Sequence, residues 1–442
     1  MRVLVIAEAA NPEWTSVPLV GWSLARALAD VADVHVVTHV RNRKAIERTG
    51  WIEGEQFTAI DSEKVAARLY RLSAMLRGGN GRGWTINTAL SSLSYLYFER
   101  VVWRTFRDRL TAGEVNLVHR VTPLSPTVPS PIAKKLQRLG VPFVIGPLNG
   151  GLPWPKAFDG ARRAEFEWLS YVRGGHRLLP AYRATRRHAS AILIASRATW
   201  QQMPARYRHK CVYLPENAVD PGRFTAVRSR RAARPIRAIF VGRLVPYKGP
   251  DMLLEAAAPL LARGDLTLEI VGDGPLRESL EAFVSGQALE SAVTFRGWVE
   301  HDQVQHYLAE ADVLTFPSIR EFGGGVVLEA MAIGVPALVV DYGGPAELVT
   351  PETGFLVPLR SRDEIITSLR DELERIIADP KLIESRSPPA RERVHREFTW
   401  QAKARRVIEV YDWVLGRAPK PASASPQHGA FPATDIVHAG TT

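Results

Sequence analysis

The chain has 442 residues, 46% of them apolar and 23% charged, which excludes a disordered polymer and predicts two or three domains at roughly 150 residues each. A single cysteine, Cys211, excludes an internal disulfide and a multi-cysteine zinc site, and fits a reducing compartment. The net charge of +11 is uneven: residues 1–210 hold 31 Lys+Arg and 15 Asp+Glu, a balance of +16, and the rest hold 26 and 31, a balance of −5.

The chain opens on Arg2-Val3-Leu4-Val5-Ile6-Ala7, a β-branched apolar run that predicts a buried strand of a parallel sheet. Glu8 interrupts it too early for a secretory leader, and no run of about 18 apolar residues is present to span a membrane. A helical pattern covers Leu19–Ala29, and further strands are expected at Val34–Thr38, Leu117–Val121, Pro142–Gly146 and Ala191–Ala195. Strand–helix alternation predicts a doubly wound α/β domain over residues 1–212.

The alternation then restarts. Strands are expected at Ala238–Val241, Thr267–Val271, Val293–Phe295, Val313–Phe316 and Ala337–Val340, with helices such as Pro250–Arg263 and Pro275–Val284 between them. A second α/β domain therefore covers 213–399, joined to the first through Leu214–Pro221 and the basic run Arg228–Pro235. An amphipathic helix is expected at 400–416, and the Ala/Pro/Ser/Gly-rich stretch 417–442 reads as a disordered tail.

Two stretches of the first half mix arginine with aromatics: Glu63–Arg109 and Arg162–Arg187. Two accounts stand: amphipathic helices on an anionic membrane surface, or ordinary helices with aromatics inside and arginines in water. A basic half beside a mildly acidic one implies a face turned to something anionic, although a GC-rich genome also raises the arginine content. No zinc-finger, homeodomain or RNA-binding signature is present, which argues against nucleic acid.

The phosphate chemistry lies in the second half. The strand ending at Val241 runs into Gly242-Arg243-Leu244-Val245-Pro246-Tyr247-Lys248-Gly249. Ligands of open α/β sheets bind beyond the carboxyl ends of strands, so Arg243 and Lys248 stand where a diphosphate could be held; a solvated βα turn is the plainer account. Ile270-Val271-Gly272-Asp273-Gly274-Pro275 makes another strand–turn–helix junction. Next, Phe316-Pro317-Ser318 precedes Glu321-Phe322-Gly323-Gly324-Gly325, and Glu329 follows on a helix. A glycine loop at a helix start offers unpaired backbone N–H groups, and a carboxylate suits a vicinal diol. Two unrelated surface glutamates would be the alternative.

The order Gly-Arg-x4-Lys-Gly, Val-Gly-Asp-Gly-Pro, Phe-Pro-Ser, Glu-x7-Glu with its glycine cluster, Gly334-x-Pro336, Gly343-Gly344 and Thr353-Gly354-Phe355-Leu356-Val357 resembles the retaining glycosyltransferases of family 4, of GT-B fold. The resemblance covers about residues 210–400. It implies two Rossmann-like domains facing a cleft, with the C-terminal helix returned to the first. It implies that Arg243 and Lys248 hold the donor diphosphate, that Gly272 belongs to the donor side, that Glu321 and the N–H groups of Phe322, Gly323 and Gly324 bind the transferred sugar, and that Glu329 binds the nucleotide ribose. No metal or other cofactor is implied, and no Asp-x-Asp motif occurs. The nucleotide sugar, UDP- or GDP-linked, is a substrate; the acceptor is a saccharide or lipid-linked saccharide, used in polysaccharide or glycolipid synthesis in the cytoplasm or at the inner membrane face.

The first domain follows that pattern less closely. The loop Glu8-Ala9-Ala10-Asn11 lacks the usual glycine pair, and the nearest glycine is Gly21. His119-Arg120-Val121-Thr122-Pro123 supplies one histidine where the family often has two, so His119 is either the active-site histidine or a strand residue. Asn149, Gly150 and Gly151, in Gly146–Pro155, form either an acceptor or phosphate loop or a rigid turn. Two other activities remain open: a nucleotide-sugar epimerase on the same scaffold, which would need acid/base carboxylates in the first domain, and nucleic-acid binding by the basic half.

Overall fold

The computed structural model describes residues 1–63, 84–158, 180–228 and 232–422. The chain divides into two compact units. The first holds Met1–Gly151, the segment that ends at Glu216 and the chain from Trp400; the second holds Asn217–Thr399 and the segment that begins at Leu152.

The first unit is built on seven strands: β1 (Arg2–Ala7), β2 (Asp33–His39), β3 (Phe57–Ile60), β4 (Leu117–Thr122), β5 (Phe143–Leu148), β6 (Ala191–Ile194) and β7 (Cys211–Tyr213). Their order is β3-β2-β1-β4-β5-β6-β7, and every pairing is parallel. Helices cover both faces, which is why β1, β4, β5 and β6 are buried on both sides, and β1, β5 and β6 are apolar there. The direction of winding reverses between β1 and β4.

One polar run interrupts this apolar sheet. Arg120 on β4 is fully buried, and its Nη1 donates to Val128 O at 2.9 Å and Ser130 Oγ at 3.0 Å. Nearby Glu99 accepts from Tyr95 Oη at 2.9 Å and from the Ile132 N–H at 3.0 Å. Partners for both charges make their burial tolerable.

The C-terminal helix Trp400–Val414 lies in this unit and packs on helix Val17–Ala29. Lys403, buried on that helix, donates to the carbonyl of Pro215.

The second unit has six parallel strands: β8 (Ile236–Val241), β9 (Leu266–Val271), β10 (Val293–Gly297), β11 (Val313–Phe316), β12 (Ala337–Val340) and β13 (Gly354–Val357). The order is β10-β9-β8-β11-β12-β13, so the winding reverses between β8 and β11. Arg228 ties the N-terminal segment of this unit inward, pairing with Asp312 at 3.1 Å and Glu384 at 3.0 Å.

Strands β3, β7 and β13, of 4, 3 and 4 residues, are not among those expected from the sequence. Residues 64–83 and 162–179 of the arginine-aromatic stretches lie outside the described residues, as does the tail beyond residue 422. Among the described residues no helix is long and apolar enough to cross a membrane.

Candidate functional site

A cavity of about 250 Å³ opens in the second unit at the point where its winding reverses. Val241 and Gly242 from the end of β8 and Phe316 from the end of β11 form its floor. Crevices at such a switch point are where open α/β sheets bind ligands. Lys248, Glu321, Gly324, Gly325, Glu329 and His301 complete the polar part of the wall.

Backbone contact explains why glycines crowd this region. Gly272 has φ of +138°, and a Cβ there would stand 2.0 Å from Gly242 O. The turns after β8 and β9 therefore cross at a distance that only glycine permits. A Cβ on Gly344 would lie 2.4 Å from Phe322 O, and one on Gly343 2.4 Å from Glu321 O. The Gly344 N–H also donates to Glu321 O at 2.9 Å. The Glu321–Gly324 loop is thus laid directly on the backbone that follows β12.

Gly324 takes φ of +67° and caps helix Gly325–Ile333. The start of that helix faces the cavity with N–H groups that have no intrahelical acceptor and with the positive end of the helix dipole. Glu321 approaches from the loop and Glu329 from the helix. Both line the cavity, while Phe322 and Gly323 are set back from its wall.

Lys248 forms an ion pair with Glu321, and its Nζ lies 4.9 Å from the centre of the Phe316 ring. The Gly324 N–H points at the other oxygen of Glu321 from 3.4 Å. Arg243 is different: it is exposed, and its side chain makes no ion pair or hydrogen bond among the described residues. The second expected cation therefore stands at the strand end but outside the cavity wall. Among the described residues, no group of three or more His, Cys, Asp or Glu is placed to hold a metal ion.

His301 carries no sequence motif and is not among the residues that the sequence marks. It follows the end of β10, and its Nε2 donates to Glu329 Oε1 at 2.8 Å. The Glu329 carboxylate raises the His301 pKa against the opposing effect of burial. Phe224 meets the imidazole edge-on at 5.5 Å. Its position after a strand end, in the sheet that already holds the glycine motifs, is the one signal that could have marked it.

The stretch from Leu152 belongs to the same unit. Tyr342 Oη donates to Pro153 O at 2.7 Å, Trp154 meets Tyr247 edge-on, and the Arg320 guanidinium stands 4.7 Å from the Trp154 ring. This aromatic–cation group sits beside Glu321 in sequence and beside Lys248 through Tyr247.

The remaining predicted residues lie in the first unit. His119 is wholly buried on β4. Its Nε2 stands 2.7 Å from Gly146 O, and its Nδ1 stands 2.6 Å from Tyr411 Oη. A carbonyl only accepts, so Nε2 carries the proton and Nδ1 accepts from the Tyr411 hydroxyl. Burial pushes the imidazole pKa down to about 4, and both nitrogens are occupied in tying the C-terminal helix to the sheet. Asn149, Gly150 and Gly151 follow β5. The Gly150 carbonyl accepts from Thr199 Oγ1 at 3.0 Å and Gly151 O from Gln202 Nε2 at 2.5 Å, so this loop is fastened to the helix Arg197–Gln202 that follows β6.

At the switch point of the first sheet, Ala9 N donates to Thr122 Oγ1 at 3.0 Å, and Glu8 O accepts from Asn42 Nδ2 at 2.9 Å. A Cβ on Gly21 would lie 2.0 Å from Ala9 O, so the one glycine near this loop serves to let its backbone pass. Burial raises the pKa of Glu8, and Arg41, 3.6 Å away, opposes the shift.

The first unit also carries a basic surface. Exposed Lys134, Arg138 and Arg187, with Lys210, add positive charge around His188, whose pKa is lowered by burial and then by these four cations. On helix Trp84–Thr111, Leu93 and Tyr97 are exposed, followed on the same side by exposed Arg100 and Arg104.

Residues 225–393 match the family model described as glycosyl transferases group 1. The chain is 32% identical to the alpha-D-kanosaminyltransferase of Streptomyces kanamyceticus over 214 residues, 46% of this chain and 54% of that protein. The match thus spans about half of that relative. The chain is 29% identical to the GDP-mannose-dependent alpha-(1-6)-phosphatidylinositol monomannoside mannosyltransferase of Mycolicibacterium smegmatis over 320 residues, 65% of this chain and 82% of that one. Among solved structures, Anabaena HepE in complex with UDP and glucose superposes with a TM-score of 0.58 at 18% identity, covering 93% of this chain and 99% of that one. That likeness shows the fold.

Proposed function

We propose that the chain is a glycosyltransferase of group 1, whose family model its residues 225–393 match, and that it moves a sugar from a UDP- or GDP-linked donor to a saccharide or lipid-linked acceptor, with retention and without a metal; its two parallel-sheet α/β domains have the GT-B fold. The observation that carries this is the gathering of Lys248, Glu321, the Gly324 helix start and Glu329 around one cavity at the switch point.

Each wall residue has a task in that reaction. Lys248 and the helix N-terminus meet the diphosphate, and Arg243 supplies a second cation from outside the wall. Negative charge grows on the leaving diphosphate as the bond to the anomeric carbon breaks, so cations fixed there lower the barrier. Glu321 accepts hydrogen bonds from hydroxyls of the transferred sugar, and Glu329 from the ribose diol. No carboxylate is assigned as nucleophile; the leaving phosphate takes the acceptor's proton. His119, neutral and tied at both nitrogens, is assigned to holding the C-terminal helix rather than to the chemistry.

The basic surface around His188 and the Leu93–Tyr97 face support a lipid-linked acceptor met at an anionic membrane. The Mycolicibacterium relative is named for a phosphatidylinositol mannoside acceptor. Thermal stabilisation across UDP- and GDP-sugars tests the donor assignment, since a ligand at 100 times its Kd adds about 2.7 kcal/mol.

A further inference from the structure

We infer that His301 is a positioning residue for ribose recognition: its Nε2–H holds Oε1 of Glu329 and so fixes the carboxylate that a bound nucleoside's vicinal diol meets. The inference rests on the nucleotide-sugar assignment above and adds a residue to it.

Three observations carry it. His301 and Glu329 both line the cavity, and the 2.8 Å contact joins them within its wall. Glu329 Oε2 has no partner among the described residues, so one oxygen is anchored and the other is left for a ligand. Phe224, packed edge-on with its ring centre 5.5 Å from that of the imidazole, limits rotation of the ring. A glutamate on a helix has three rotatable bonds, and a diol grip needs its carboxylate plane fixed beforehand; an anchored oxygen removes most of that freedom before the ligand arrives.

The pair holds in either protonation state of the ring, because Nε2–H donates in both and Nδ1 carries the change. The charged groups acting on His301 are Glu329 and Asp302, which favour the imidazolium, and Arg223, which opposes it. The raised pKa of His301 agrees with a donor held toward an ionised carboxylate.

The test measures affinity for UDP and GDP, and for the 2′,3′-dideoxy counterpart of whichever binds more tightly. The intact chain is compared with His301→Ala, His301→Gln, Glu329→Ala and the His301→Ala/Glu329→Ala double variant. The intact chain should prefer the ribonucleotide by about tenfold or more. His301→Ala should cut that preference about fivefold while leaving dideoxynucleotide affinity within about twofold. His301→Gln, which keeps an N–H donor, should recover most of the preference. The double variant should lose no more than Glu329→Ala alone, because the two residues act through one carboxylate. An unchanged preference in a folded His301→Ala variant, a folded His301→Gln variant that recovers none of the loss, or losses that simply add, overturns the inference. If the intact chain binds neither diphosphate, the nucleotide assignment itself falls and the inference with it.

Discussion

Lys248 and Glu321 neutralise each other in the cavity wall, with the Lys248 ammonium also 4.9 Å from the face of Phe316. Both side chains are mostly buried, 17% and 20% exposed, so neither charge is well solvated without the other. A bound donor would give each a new partner: phosphate oxygens for Lys248, sugar hydroxyls for Glu321. The pair therefore keeps two ligand-binding groups in place at low cost until the ligand arrives.

Lys248→Ala should lower kcat/KM for the donor by about 100-fold or more, the usual loss when one stabilising donor is removed from a developing charge. It should also cost about 1–3 kcal/mol of stability, because Glu321 is left without its cation. Arg243→Ala should lower turnover with little change in melting temperature, since exposed Arg243 has no partner to strand. Steady-state kinetics beside thermal melts separates the two; full activity in the double variant would remove both from the donor site.

Gly344→Ala tests the backbone that supports the glycine loop. Its Cβ would press to 2.4 Å from Phe322 O, so the loop carrying Glu321 must move, although residue 344 itself is not in the cavity wall. Overpacking of this kind costs about 1–3 kcal/mol. Donor KM should rise several-fold in a variant that still folds. An unchanged KM would mean that the loop position is not set by this contact.

Much of this site can be read from the order of residues. The Gly242–Gly249 turn, the Glu321–Gly325 loop and Glu329 announce themselves because backbone approach demands glycine and diphosphate demands cations. Strand alternation puts these turns at the carboxyl edge of a sheet, but the strand order that brings the turns after β8 and β11 to one switch point is seen only in the structure. Arg243 and Lys248 look equivalent in sequence, yet only Lys248 reaches the wall, because side-chain direction after a strand end depends on the turn that follows. His301 was hidden because its partner, Glu329, is 28 residues away and no spacing rule links them. His119 was ambiguous for the same reason: the hydroxyl that fixes its tautomer comes from Tyr411, 292 residues on.

His119 gives a signed pH prediction. Its pKa falls from 6.5 to about 4 on folding, so above 6.5 neither state takes up a proton and its contribution is complete. As pH falls from 6.5 to about 4 the unfolded chain is protonated and the folded one is not, and stability drops by about 1.4 kcal/mol per unit, about 3 kcal/mol in all. His39, also lowered to about 4, adds in the same direction. Melting temperature followed across this range should fall less steeply in His119→Gln than in the intact chain; identical slopes would contradict the buried neutral tautomer.

Membrane attachment is tested by co-sedimentation with vesicles of anionic and of neutral phospholipid. The intact chain should bind the anionic vesicles and release as salt rises, each lysine or arginine near the surface contributing about 1 kcal/mol. Lys134→Glu/Arg138→Glu/Arg187→Glu should weaken that binding strongly and leave donor affinity unchanged, because these residues belong to the first unit and none of them lines the cavity. Equal binding to neutral vesicles would contradict a charge-driven contact.

On the proposed function, the second-unit cavity binds a nucleotide sugar through Lys248, Glu321 and Glu329. The most direct measurement is calorimetric titration of UDP, GDP and their common sugar conjugates into the intact chain and into Glu329→Ala, without added metal. One nucleoside diphosphate and its sugar conjugate should bind, with affinity reduced about tenfold or more in Glu329→Ala. Binding of no nucleotide, or binding that Glu329→Ala leaves untouched, would contradict the account.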